Sequence, residues 1–281
     1  MVACFYRHSV CDSFSDFGAG IYSYLSSNPT INSCVIAGNA AVYEGGGIHL
    51  YFNSYPTIAN CLIVGNSSSG GGGIYCYRSE PSITNCTIVD NFASSVGGGI
   101  YYDSVNSSPT VTNCILWGDS PQETFVLSGT PILSYCDIQG GWFGTGWNIL
   151  DEDPLFVSGL LGDYALSQIA SGQALDSPCV DAGSDTAVNL GLDNLTTRTD
   201  GGDDTDIVDM GYHATYKVII DSITYDQGSV TITWIAKPGS SYTVQHSTDM
   251  ENWIDVSVGV ADTWTDVGVS ETTKFYRASE Q

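Results

Sequence analysis

The first half of this chain repeats itself. The segments "GGGIHLYFNSYPTIANCLIVGN", "GGGIYCYRSEPSITNCTIVDN" and "GGGIYYDSVNSSPTVTNCILWGD" follow one another, preceded by a looser copy, "GAGIYSYLSSNPTINSCVIAGN", and followed by a worn half-copy, "TPILSYCDIQGG". The isoleucines Ile21, Ile48, Ile74 and Ile100 stand 27, 26 and 26 residues apart. A period of that length means stacked units, each burying its apolar face against its neighbours. Helical repeats are excluded, because the apolar runs are short, alternating, rich in Val, Ile, Thr and Tyr, and punctuated by Gly and Pro.

Each copy reads as three short strands: the Gly-Ile-Tyr strand, a strand through "PTI" or "PSI", and the Cys-x-Ile segment. Ile21, Ile48, Ile74 and Ile100 are expected to point inward. So are Ile31, Ile58, Ile83 and Val111, then Ile36, Ile63, Ile88 and Leu116. Like residues then stack from coil to coil about 4.8 Å apart, which gives aliphatic ladders and near-complete hydrogen bonding between coils. Cys34, Cys61, Cys86, Cys114 and Cys136 keep one place in the repeat and read as another interior ladder rather than as disulfides. Cys4, Cys11, Cys76 and Cys179 lie outside that series, and an odd total of nine leaves at least one thiol free or paired between chains. Asn39, Asn66 and Asn91, with Asp119 in the next copy, follow the ladder cysteine by five residues and are expected to cap turns on adjacent coils. Asn60, Asn85 and Asn113 are expected to do the same at the bend before the third strand.

With "GGGIY", "PSITNCTIVDN" and "SSPTVTNCIL" as the matching elements, the repeats resemble right-handed parallel β-helix proteins of the pectate-lyase-like superfamily. The stretch "SPCVDAGSDTAVNLGLDNLTTRTDGGDDTDIVDMGYH" resembles the segment that closes the helix in bacterial secreted and surface-anchored members. "SVTITWIA", "SYTVQHSTD" and "KFYRASE" alternate with a period of two and resemble a fibronectin type III-like sandwich. There Trp234, Tyr242 and Tyr276 suit structural positions, while Trp253 and Trp264 suit edge packing, with binding of a sugar ring as the alternative. The expected fold is therefore all-β: a single-stranded right-handed parallel β-helix with an acidic closing segment over residues 1–213, then a small antiparallel β-sandwich over 216–281. The resemblance implies a fold and leaves activity open, since that superfamily includes lyases, hydrolases, adhesins and proteins without chemistry.

Asp and Glu outnumber Lys and Arg by 31 to 7, a formal charge of -24, so nucleic acid and anionic membranes are unsuited as partners. No run of 18 apolar residues occurs, so no membrane insertion is expected. The start, "MVACFYRHSVC", shows neither a long apolar leader nor a clear cleavage site. The resemblance nonetheless implies a secreted or cell-surface location, with the leader removed or the chain a piece of something longer.

Alternation also orients the first strand outward. Tyr22, His49, Tyr75 and Tyr101 form one outward column, and Tyr24, Tyr51, Tyr77 and Asp103 the next. Columns of rings on one face serve either sheet stability through cross-strand pairing or a recognition surface for glycan or protein. For chemistry the repeat offers only Asp103, Arg78 and His49 with Glu80, and Asp103 with Arg78 reads as an exposed ion pair. The balance leans away from an enzyme. Asp200, Asp203, Asp204, Asp206 and Asp209 crowd oxygen ligands into "TRTDGGDDTDIVDMG", a set suited to Ca2+, with Arg198 able to compensate the charge. The leading expectation is an extracellular structural or binding module that recognises a polysaccharide or cell-surface glycan through Tyr22, Tyr24, His49, Tyr51, Tyr75, Tyr77 and Tyr101. The alternatives are a β-helix polysaccharide lyase or glycoside hydrolase, and a filament or shell subunit that self-assembles through open β-helix ends.

Overall fold

The structure is a computed structural model that describes residues 9–11, 14–159 and 162–215. It also describes segments 219–226, 229–235, 242–247, 251, 254–260, 263–267 and 275–280. The chain divides into two compact units, residues 1–199 with 203–214, and residues 200–202 with 215–281.

The first unit is a parallel β-solenoid in which the aliphatic ladders form as the repeat requires. Ile21 pairs with Ile48, Ile48 with Ile74 and Ile74 with Ile100, all parallel and in register. Every residue of the three expected ladders is buried in one continuous core, where each isoleucine contributes roughly 2 kcal/mol. The five ladder cysteines are buried free thiols. Those of Cys61, Cys86, Cys114 and Cys136 each point at a carbonyl of the preceding coil, that of Ile31, Ile58, Ile83 and Val111 respectively. Cys76 joins the core through a second inward position of the first strand, shared with Ser23, Leu50 and Tyr102. Cys11 lies in the strand Ser9–Cys11, and Cys4 falls outside the described residues.

The coils from Ile21, Ile48 and Ile74 have four strands where the pattern promised three. The coil from Ile48 runs Ile48–Tyr51, Thr57–Ala59, Leu62–Val64 and Ser67–Gly70. The unforeseen fourth strand recurs as Phe14–Phe17, Ala40–Glu44 and Phe92–Val96, and together these form a parallel sheet. Its residues are mostly small or polar and carry no isoleucine, so aliphatic periodicity passed over it.

Two rows of asparagine behave differently. Asn39 donates its side-chain amide to Asn66 and Asn66 to Asn91, each at 2.9 Å, and Asn91 donates to Asp119 at 2.9 Å. This buried ladder caps turns as expected. Asn60, Asn85 and Asn113 instead take positive φ values of 48, 50 and 54°, a conformation that Asn tolerates well. Asn60 and Asn113 turn their side chains away from capping and toward the chain beyond residue 182. Asn60 binds the backbone of His213, and Asn113 accepts from the Ser184 N–H.

That same chain belongs to the acidic segment expected to close the helix. It crosses the flank of several coils, where Leu166, Cys179 and Met210 pack on Ile115, Trp117 and Tyr135. The end of the core is met by Trp142 and Ile149. Among the described residues no helix is long and apolar enough to cross a membrane.

The second unit contains two three-stranded antiparallel sheets, one of Ile219–Asp226, Ser229–Ile235 and Thr263–Val267, the other of Tyr242–Ser247, Ile254–Val260 and Phe275–Glu280. Tyr242 is fully buried, as its structural position anticipated. The side chains of Trp234, Trp264 and Tyr276, and the whole of Trp253, lie outside the described residues.

Candidate functional site

The outward side chains of the first strands form two ring columns. In one, Tyr24, Tyr51 and Tyr77 stack with centroids 5.5 and 5.0 Å apart. In the other, Tyr22 meets His49 edge-on at 5.0 Å, His49 meets Tyr75 likewise at 5.0 Å, and Tyr75 stacks on Tyr101 at 4.7 Å. Phe125, which the worn fifth copy had hidden, extends this column at 5.2 Å from Tyr101. Coil spacing sets these distances, so the ring faces are largely turned to one another and edges and hydroxyls face outward.

Both columns were expected to face outward, and their exposure varies along each. Tyr22 and Tyr24 are 46% and 49% exposed, while Tyr51, Tyr77 and Tyr101 are half-buried. His49 and Tyr75 are only 1% and 6% exposed. A glycine turn is responsible. Gly45 and Gly71 sit at φ +68 and +66°, and a Cβ on either would come within 2.6 Å of His49 Cβ or 2.9 Å of Tyr75 Cβ. The left-handed turn folds the fourth strand back beside the column, which only glycine permits at that distance.

The fold-back makes a groove of about 180 Å³ lined by Tyr43, Glu44, Ser69, Gly70, Tyr75, Ser95, Val96 and Tyr101. Burial, and then the charge of Asp103, pushes the Glu44 carboxyl above its usual range. Burial likewise raises the Tyr75 and Tyr101 phenols, with Glu44 and Asp103 adding to it, so both hydroxyls stay protonated. Burial pushes the His49 imidazole down to about 4, opposed only in part by the nearby backbone of Glu44. His49 is thus a neutral ring packed among Phe17, Tyr22, Tyr51 and Tyr75, removed from any solvent-facing role.

Arg78 and Asp103 do not form the expected ion pair. The Arg78 guanidinium lies 5.4 Å from the ring centroids of Phe52 and Tyr77, and Asp103 Oδ1 accepts from the Ser128 hydroxyl at 2.9 Å. Glu80 accepts from the Ser108 N–H.

The acidic segment gathers, in a changed membership. Asp204 and Asp209 converge with Asp181, a residue the sequence reading passed over because it lies 23 positions before Asp204. Asp203 and Asp206 line the same cavity, of about 260 Å³, whereas Asp200 accepts from the Gly202 N–H. Asp204 Oδ2 accepts from the Asp209 N–H and contacts His213 Nε2, each at 2.9 Å. Asp209 accepts from Thr197, Gln168 and the Asp181 N–H, and burial raises its carboxyl. Asp181, Asp204 and Asp209 bring carboxylate oxygens within 4.8 Å of one another, oxygen ligands of the kind a calcium ion takes, while Asp204 and Asp209 also serve protein donors.

A further cavity, of about 560 Å³, lies at the last coil and is walled mainly by apolar groups of Val126, Pro131, Trp142 and Phe143. Its one buried acid, Glu123, accepts from the Asp119 N–H and so belongs to the end of the asparagine ladder.

Residues 6–143 match the family model described as the right handed beta helix region. No curated protein and no solved structure matches the chain.

Proposed function

We propose that this right-handed β-helix is an extracellular or cell-surface binding module that takes a polysaccharide along its tyrosine face. The carrying observation is the pair of ring columns beside a polar groove, with one outward hydroxyl-bearing ring per coil in Tyr24, Tyr51 and Tyr77 at separations of 5.5 and 5.0 Å. That spacing is on the scale of one sugar unit, so a chain lying along the solenoid axis meets a repeated polar edge. Because ring faces stack on one another, recognition runs through hydroxyls and ring edges, with open faces chiefly at Tyr22 and Tyr24. The antiparallel sheets of the second unit fit a fibronectin type III-like module appended to such a protein.

The test is affinity electrophoresis of the purified full chain through gels carrying a panel of polysaccharides, with calcium and with EDTA. A parallel assay follows new reducing ends and ultraviolet-absorbing unsaturated products. Retardation without product supports the binding module, and a calcium requirement would assign a role to the acidic cavity. Product formation would replace the module with a lyase or hydrolase, and no retardation on any polymer would reject the reading.

A further inference from the structure

The groove between the fourth strands and the first ring column has one sign of charge. Glu44, half-buried at the end of Ala40–Glu44, faces Tyr75 and Tyr101, and no described residue bonds to its carboxylate. Asp103 has one oxygen committed to Ser128, and its field reaches Glu44, Tyr75 and Tyr101. No Lys or Arg lines the groove. Arg78, the sole basic residue between Arg7 and Arg198, lies over aromatic rings instead.

This arrangement discriminates between glycans. A uronate or sulfated chain would place its anions beside two carboxylates on a protein of charge -24, and like charges would repel it. A neutral chain lying over Glu44 would cover an unpaired carboxylate and supply only neutral donors, which leaves most of the desolvation cost standing. A sugar bearing a free amine brings a positive charge and three N–H donors, which match a carboxylate and phenol oxygens. Building on the polysaccharide reading above, we infer that the groove selects a cationic glycan, a polymer of amino sugars whose amines are free. The amines would pair with Glu44, with the field of Asp103 adding to the attraction, while the tyrosine hydroxyls hold the sugar hydroxyls.

The test compares binding of glucosamine oligosaccharides, their N-acetylated counterparts and oligogalacturonate to the full chain by calorimetry at two salt concentrations. Because any acidic protein attracts a polycation, Glu44→Gln and Asp103→Asn are set against Asp193→Asn, which removes the same charge elsewhere; folding of each is checked by circular dichroism. The free-amine oligomer should bind at least about tenfold more tightly than the acetylated one, with the preference falling as salt rises. Glu44→Gln should remove most of that preference and Asp193→Asn should leave it. Should Glu44→Gln fail to fold, Asp103→Asn carries the comparison. Equal or tighter binding of the acetylated oligomer, or equal losses in all variants, would overturn the inference and leave polysaccharide binding intact. Absence of binding to every glycan would overturn both.

Discussion

Asp119 Oδ1 accepts two hydrogen bonds from Asn91 one coil earlier, from its backbone N–H at 2.6 Å and from its side-chain amide at 2.9 Å. The amide ladder that begins at Asn39 therefore ends on a carboxyl group, itself beside the buried Glu123.

Burial raises the folded-state pKa of both acids, and Asp119 adds to the rise at Glu123. A raised carboxyl pKa means that the folded state holds the proton more tightly than the unfolded chain. The stability it confers is complete below the unfolded values of about 4 and is lost as pH climbs toward the folded ones. Asp119→Asn extends the amide ladder and removes a buried charge. It should raise stability by about 1–3 kcal/mol at pH 8 and have little effect at pH 4. Thermal melts at the two pH values check this, and an equal effect at both would contradict it.

Glycine is favoured at Gly71 for two reasons and at Gly65 for one. Both have positive φ, +66 and +63°, but a Cβ at Gly71 would meet Ile74 O at 2.6 Å and Tyr75 Cβ at 2.9 Å, whereas nothing lies within 4 Å at Gly65. Gly71→Ala should cost about 2–4 kcal/mol and loosen the groove, while Gly65→Asn should cost under about 1 kcal/mol. Urea midpoints of the two variants decide the matter.

Tyr102 is completely buried in the core, and its hydroxyl has no partner among the described residues. Tyr102→Phe keeps the ring and removes an unsatisfied polar atom, so chemical denaturation should show a gain of roughly 1 kcal/mol. A loss of that size would mean that the hydroxyl has a partner in solution.

His213 ties the flanking segment to the solenoid. Its N–H donates to Asn60 Oδ1 at 2.7 Å, its carbonyl accepts from Asn60 Nδ2 at 3.0 Å, and its ring contacts Asp204 at 2.9 Å. His213→Ala removes one of the two partners of the buried Asp204 Oδ2, which keeps the Asp209 N–H, at a cost of about 1–3 kcal/mol. Hydrogen exchange should accelerate over 203–214 first, with the isoleucine ladders unchanged; uniform acceleration would show that the segment and the solenoid unfold together.

What could be read in the sequence follows from what repeats there. Ile48, Ile74, Cys61 and Asn66 recur at fixed places because each stacks on its own kind in the next coil, and the coil, core and amide ladder follow from that spacing. The strand Ser67–Gly70 carries no such signal, and with it the groove and the burial of Tyr75 were hidden. Glu44 could have been found by asking what the glycine turn after it folds against. Asp181 could not, because its approach to Asp204 and Asp209 depends on a path across the solenoid flank that no local pattern encodes. Asn60 and Asn113 look like Asn66 in the sequence but bind that flanking segment, a partner more than 70 residues away.

The central claim is that the tyrosine face binds polysaccharide, and the most direct measurement is a titration of one retained polymer against point variants of that face. Tyr24→Ala and Tyr51→Ala should each weaken binding by about tenfold or more, as removal of an anchoring aromatic does. Ile207→Ala, an exposed apolar residue of the flanking segment, should leave the affinity unchanged. Undiminished affinity in both tyrosine variants, with their fold intact, would place the binding surface elsewhere and contradict the account.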